Sequence, residues 1–486
     1  MFYTQILAFL LCTVVVGATL AVIVYSNRNF RAKALFLVPI GISLYLTASA
    51  IGAAVLYPYV PYGWAKFMAV AAMATAATYL ALYALARDAP RFDKRMYDTR
   101  ALFIILGLAL IAIADISFIL AQQGFRPDHA TYFRHPLESD NERHLILVNA
   151  LIRGDGSPFL PGAEHRYQIL WHHFAALFVS VLTDENISSN YALVSGIVLF
   201  TAYALFVAIF FAAYRVRPEL FRRYGWIVLL FVAVALHTDL YHFGAWWVIT
   251  GEFGIEADYE AAALYFRSFS PKLAALTAPQ HALFLIVLMA YFVLRRIRQA
   301  PAAVAFHPAD ALTPVLVMVS PVLAALYLPF SFAYDSVSIL RRDGWTAATR
   351  FAARMGVLII LGGLLFWAVM RFPPMTLFID RGAGPLGVSG WTSADAVLSL
   401  AAPVALFANA GIVGLALIAV ALTLLIKRKF TIVFNNRHLI IVLMMILVSN
   451  SVFGNAEIRR HSAILVHIVA LMALLEFMVS PGQVMR

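Results

Sequence analysis

Apolar runs of bilayer length, separated by short polar segments, dominate this chain. Runs at 2–25, 34–57, 65–86 and 101–121 alternate with turns that are basic or short and polar. Each comes close to the roughly 20 apolar residues that a membrane-crossing helix needs. Further runs follow at 191–214, 226–249, 273–294, 355–370, 396–426, 439–453 and 462–479. The segment 311–340 lies between two basic stretches, so it is expected to enter and leave on the same side as a helical hairpin, broken near Pro329. The pattern predicts an all-α polytopic membrane protein, a helical bundle of about 11–13 transmembrane helices, with no internal repeat and no soluble domain.

Charge sets the expected direction of each span. Basic residues recur at 28–33, 87–100, 215–223, 295–298, 341–354 and 427–437, and basic loops mark the inner side of a membrane. Segment 122–190 then falls outside. Its run 166–182 (RYQILWHHFAALFVSVL) looks like a span by hydropathy. However, the loop after it, TDENISSN, is acidic, and the next loop, YRVRPELFRRYG, is strongly basic. A crossing at 166–182 would invert both loops. The run is therefore expected to be a helix lying at the outer surface, with 142–152 as another, as Trp, His and Arg beside an apolar face suggest. The stretch LRRDGWT (340–346) is expected to form a charged turn on the inner side.

Composition agrees with the pattern. Of 486 residues, 63% are hydrophobic and 13% charged, and the mean hydropathy is +0.84. The net charge of +11 is spread over helix ends, so it reads as a topology signal and not as a nucleic-acid surface. The one cysteine, Cys12, lies in the first apolar run, which leaves no disulfide framework and no thiolate metal site. The first 25 residues lack a basic leader and read as a span.

With so few polar residues, their placement points to chemistry. Glu138 and Asp140 sit at i and i+2 in a segment expected to be extended. There they can share a divalent cation such as Mg or Mn, divide the roles of ligand and base, or simply form a solvated loop. His144 follows one helical turn beyond Asp140 and suits either a phosphate contact or an interfacial position. Arg459 and Arg460, after Asn455, are adjacent arginines on the outer side, where the charge rule disfavours them. Guanidinium forks suit phosphate oxygens, and arginines also anchor helix starts. Gln280 and His281 stand just inside an apolar segment, where polar groups satisfied between helices are common. Asp115 lies within a span, where a carboxylate is a functional candidate. The motif HTDLYH (237–242) places His and Asp at offsets that share no helix face, which favours polar packing over metal binding.

Several of these segments resemble the GT-C glycosyltransferases. They are ESDNERH (138–144), GSPFLPG (156–162), HRYQILWHHFAALF (165–178), TAPQHALF (277–284) and NAEIRRHSA (455–463). The resemblance covers residues 101–480, with 1–100 as three additional N-terminal helices, and the outer loop 122–190 carries the candidate active site. The motif is Glu-x-Asp where the family has Asp-x-Asp. The resemblance implies a polyprenyl-phosphate sugar donor, a membrane-lipid environment, and a glycan, lipid or protein acceptor, with no nucleic acid. It implies an enzyme of the bacterial inner membrane that works at the outer, periplasmic face with inversion of the anomeric centre. Asp140 would be the general base and Glu138 a metal ligand or acceptor contact. Arg459 and Arg460 would stabilise the departing phosphate, with His144, His172, Gln280, His281 and Asn455 as further substrate contacts. A lipid-linked saccharide flippase, using Asp115, Asp239 or Asp335 near the midplane, and an envelope assembly subunit are the competing classes.

Overall fold

The computed structural model describes residues 34–87, 138–154, 169–182, 279–297, 307–371, 402–451 and 456–479, with helical residues also at 194, 196–198, 200–206 and 208–209. Every element among the described residues is helical. In chain order they are α1 (Ala34–Val55), α2 (Trp64–Arg87), α3 (Glu138–Arg153), α4 (Ile169–Leu182) and α5 (Pro279–Ile297). A 3₁₀ turn (Pro308–Leu312) leads into α6 (Thr313–Val319), α7 (Pro321–Asp343) and α8 (Trp345–Met370). Then come α9 (Ala402–Ile426), α10 (Phe430–Phe434), α11 (Arg437–Ser451) and α12 (Ala456–Val479). The expected spans 2–25, 101–121 and 226–249 lie outside the described residues, as do Asp115, HTDLYH and the loops 251–272 and 372–391.

The centre is α5. Every residue from His281 to Leu294 is buried, as befits a helix apolar on all sides. It packs against α1, α4, the 3₁₀ turn and α6. Around it, α1 lies on α2 and α4, α3 on α4, and α7 on α8, α11 and α12. Helix α12 also packs on α9 and α11. One hydrophobic core runs through the set, so the N-terminal α1 shares it with α4 and α5. Small residues set the close approach of α1 and α2. Ala50, Ala53 and Ala54 of α1 and Val70 and Ala74 of α2 all lie in the core, and a Cβ on Gly52 would stand 3.3 Å from Val70.

Among the described residues, four helical stretches are long and apolar enough to cross a membrane: Val38–Val55, Trp64–Tyr83, Pro321–Asp343 and Trp345–Met370. Two of the helices carry their apolar side chains outward. On α2, Trp64 is 65% and Leu80 66% exposed; on α8, Val357 and Ile360 are each 64% exposed.

The segment 311–340 returns to the level where it began. Arg295 at the end of α5 binds both Asp310, before the segment, and Asp335, near its end. The break lies at Ser320, whose backbone is extended (φ −153, ψ 94) and whose hydroxyl accepts from the Leu323 amide as the N-cap of α7. It does not lie at Pro329, which sits inside the continuous helix α7. The charged turn expected at 340–346 contracts to Gly344 alone, at φ +82, a conformation that glycine adopts without a side-chain clash. Helix α9 corrects the single span expected at 396–426, because Gly411 (φ 51, ψ −131) interrupts it.

Helix α4 departs from the surface placement predicted for 166–182. Residues Leu170–Val179 are all buried, so α4 is an interior helix and not an amphipathic one floating on an apolar face. Its 14 residues span about 21 Å, short of the ~30 Å of a hydrocarbon core. Helix α3 has the expected mixed character, with Val148 and Leu151 in the core and Ile146 exposed.

Candidate functional site

Two polar clusters stand out among the described residues, at different levels of the bundle. The first gathers where the turn between α1 and α2 meets α3 and α4. The Gly/Pro-containing turn 56–63 brings Tyr57 and Tyr62 over the start of α2. Helix α4 supplies His172 and His173, and α3 supplies His144; all three are buried. His144 Nδ1 lies 2.9 Å from His172 Nε2. This contact needs one ring nitrogen protonated and the other bare, so at least one of the pair is neutral. His173 Nδ1 is hydrogen-bonded to the Tyr62 hydroxyl, and its ring stacks on Tyr62 and meets Tyr57 edge-on. Burial, with a smaller contribution from Tyr57, holds the Tyr62 hydroxyl well above the ordinary tyrosine range. Tyr62 therefore stays protonated and donates to His173 in the tautomer that carries the proton on Nε2.

Lys66 completes this cluster. It is fully buried in the first turn of α2. Its Nζ sits over the Tyr62 ring, 3.6 Å from the centroid, and 5.2 Å from the Tyr57 centroid. No hydrogen-bond acceptor reaches it. Sequence reading treated 65–86 as a plain span and missed Lys66. The available signal was a single lysine inside an apolar run that no neighbouring carboxylate balances.

Of the residues singled out from sequence, His144 and His172 come together as described. Glu138 and Asp140 occupy the first turn of α3, which corrects the extended segment expected there. Positions i and i+2 lie about 200° apart around a helix, so the shared-cation argument that an extended chain supports does not carry over to this backbone. The first turn of a helix is in itself a favourable place for acidic residues. Their side chains, and that of Gln280 at the start of α5, lie outside the described part of the structure. Among the described residues, no group of three or more His, Cys, Asp or Glu gathers as a metal site. His281 is fully buried on α5. Arg459 and Arg460 belong to the first turns of α12, where an outer turn was expected. Helix α12 packs on α7, α9 and α11, whereas α3 packs on α4. Asn455 lies outside the described residues.

The second cluster is an ion ladder at the ends read from sequence as inner. Arg437 donates from Nε and Nη2 to the two carboxylate oxygens of Asp335, both at 2.9 Å, and from Nη2 to Ser331 Oγ at 2.6 Å. Arg295 donates to Asp335 at 2.9 Å and to Asp310 at 3.3 Å. Arg354 reaches the other oxygen of Asp310 at 3.4 Å. Asp310 also accepts from the His307 amide, closing a capping box on the 3₁₀ turn. Alongside, His438 pairs with Glu476 at 2.9 Å. The ladder ties α5, the 3₁₀ turn, α7, α8 and α11 together. From sequence, its arginines had registered only as a topology signal.

Comparison with protein-family models, with curated proteins and with solved structures finds no match for this chain.

Proposed function

We propose that this chain is a multi-span membrane glycosyltransferase that moves a sugar from a polyprenyl-phosphate donor to a glycan, lipid or protein acceptor at the outer face. The outward apolar faces of α2 and α8 support the membrane setting. Contiguous Trp, Leu, Ile and Val surfaces of that extent are costly in water and suit lipid. The observation that carries the reaction class is the His144–His172 contact. It joins the helix that opens with Glu138 and Asp140 to the aromatic-rich helix α4. Acidic groups able to take a proton thereby stand within two helical turns of a histidine pair able to meet phosphate or sugar oxygens.

In this reading Asp140 takes the proton from an acceptor hydroxyl. The oxygen forms a bond to the anomeric carbon, the bond from that carbon to the phosphate oxygen breaks, and the centre inverts. The polyprenyl phosphate leaves with the electron pair. His144 and His172 position the donor, and Arg459 and Arg460 are candidates for stabilising the departing phosphate. No step in this reading is routed through a metal.

The test is transfer or donor hydrolysis by the purified chain in detergent, over a panel of radiolabelled polyprenyl-phosphate sugars. Turnover with one donor, abolished in Asp140→Asn, is the expected result, and an EDTA arm reads whether a divalent metal takes part. Full activity in Asp140→Asn removes Asp140 as the base. Failure of every donor to bind refutes the transferase reading.

A further inference from the structure

We propose that Lys66 is the cation of an oxyanion site that takes a phosphate group, free or lipid-borne, at the end of the bundle closed by the α1–α2 turn. The first observation is an unpaired charge. Lys66 is fully buried, and its Nζ meets no hydrogen-bond acceptor and no carboxylate. Buried ammonium groups are costly unless paired, and the faces of Tyr62 and Tyr57 compensate only part of that cost. Helices α1, α2 and α4, which pack together here, contain no Asp or Glu at all. Among the described residues Lys66 therefore has no counter-ion.

The second observation is position. Lys66 is the third residue of α2, a helix of 24 residues. The positive end of the helix dipole repels a cation there and attracts an anion. The first-turn amides of α2 lack acceptors within their own helix, and the residue before the helix, Gly63, has no side chain with which to cap them. An oxyanion at this point answers the ammonium and the helix end together. Tyr62 makes this feasible. Its hydroxyl is held by His173, so it presents a ring face to Lys66 and not a competing oxygen, and Tyr57 and Tyr62 are both half-buried. A phosphate is favoured over other oxyanions by depth. Trp64 and Tyr59, both well exposed beside the site, are residues that mark the headgroup level of a bilayer. The lipid-borne case rests on the transferase reading; the site itself does not.

The full-length chain, purified in phosphate-free detergent buffer, is titrated with inorganic phosphate, a short-chain prenyl phosphate or acetate. Melting temperature and tryptophan fluorescence are followed. The wild type should be stabilised by a phosphate compound and not by acetate. Lys66→Met should melt at or above the wild type without ligand, because an uncompensated charge has gone. It should bind phosphate about tenfold more weakly or worse, the loss expected for one charge-assisted contact. Lys66→Gln repeats the test with a polar neutral side chain. A stronger response to the prenyl phosphate assigns the lipid source, and an equal one assigns free phosphate. The inference is overturned if the wild type ignores both phosphate compounds, or if acetate matches them. It is also overturned if the neutral variants respond undiminished, or if both fail to fold, since Lys66 would then be a structural cation. None of these readings needs turnover. Phosphate binding without sugar transfer would retain the site and reject the transferase, while transfer with unaltered donor affinity in Lys66→Met would do the reverse.

Discussion

Asp335→Asn should be among the most destabilising single substitutions in the described part of this chain. The change keeps the side-chain volume but removes the charge that two guanidinium groups share. Three hydrogen bonds of 2.9 Å converge on this carboxylate, two from Arg437 and one from Arg295. The side chains are mostly buried, at 13% exposed for Asp335, 12% for Arg437 and 22% for Arg295. Arg295 keeps Asp310, and Arg437 keeps Ser331, so neither cation is wholly abandoned. Removing one partner from a buried ion pair costs about 3–5 kcal/mol. Spread over a chain of this size, where unfolding entropy is about 1 kcal/mol/K, that corresponds to a fall in melting temperature of about 3–5 °C. The assay is thermal unfolding of purified protein in detergent, followed by helical circular dichroism. Asp343→Asn is the matched control. It removes the Arg342 partner of an exposed pair at 3.0 Å, and surface pairs contribute about 0–1 kcal/mol. The double variant Asp335→Leu with Arg437→Met should recover more than half of the loss, because an apolar pair leaves no stranded charge. If Asp335→Asn melts within about 1 °C of the wild type, the ladder contributes nothing to stability and the reasoning fails.

Other outcomes follow from packing and from the histidine pair. Gly362→Ala should destabilise by about 1–3 kcal/mol, because a Cβ there would lie 2.7–2.9 Å from Val317 and the Pro314 backbone. Gly363→Ala, facing open space, should be neutral or stabilising by up to about 1 kcal/mol; parallel melts of the two variants check both. A double-mutant cycle of His144→Ala and His172→Ala should show a coupling of about 1 kcal/mol for their 2.9 Å contact. Additivity of the two losses would show that the rings do not interact.

Local pattern determined much of this protein. Apolar runs of span length foretold α1 and α2 within two residues at each end, and α5, α8 and α12 less closely, α8 beginning ten residues before its expected run, because the hydropathy of a helix is written in its own residues. Basic segments foretold that both ends of 311–340 share one level, and Arg295 does bridge them. His144 and His172 were singled out separately and prove to be in contact. Tertiary structure alone decided the rest. Arg437 and Asp335 are 102 positions apart, and nothing local distinguishes an arginine that marks topology from one that enters a buried ladder. The Ser320 break was hidden by Pro329, the stronger local breaker, which α7 absorbs. Burial of α4 on every side depends on α1, α3 and α5 closing around it, a property of the assembled bundle and not of its own 14 residues. Lys66 reads as one polar residue in a span until α1 and α4, neither with a carboxylate, are seen to pack against its helix. Hydropathy is a property of neighbours in the chain, and charge compensation is a property of neighbours in space.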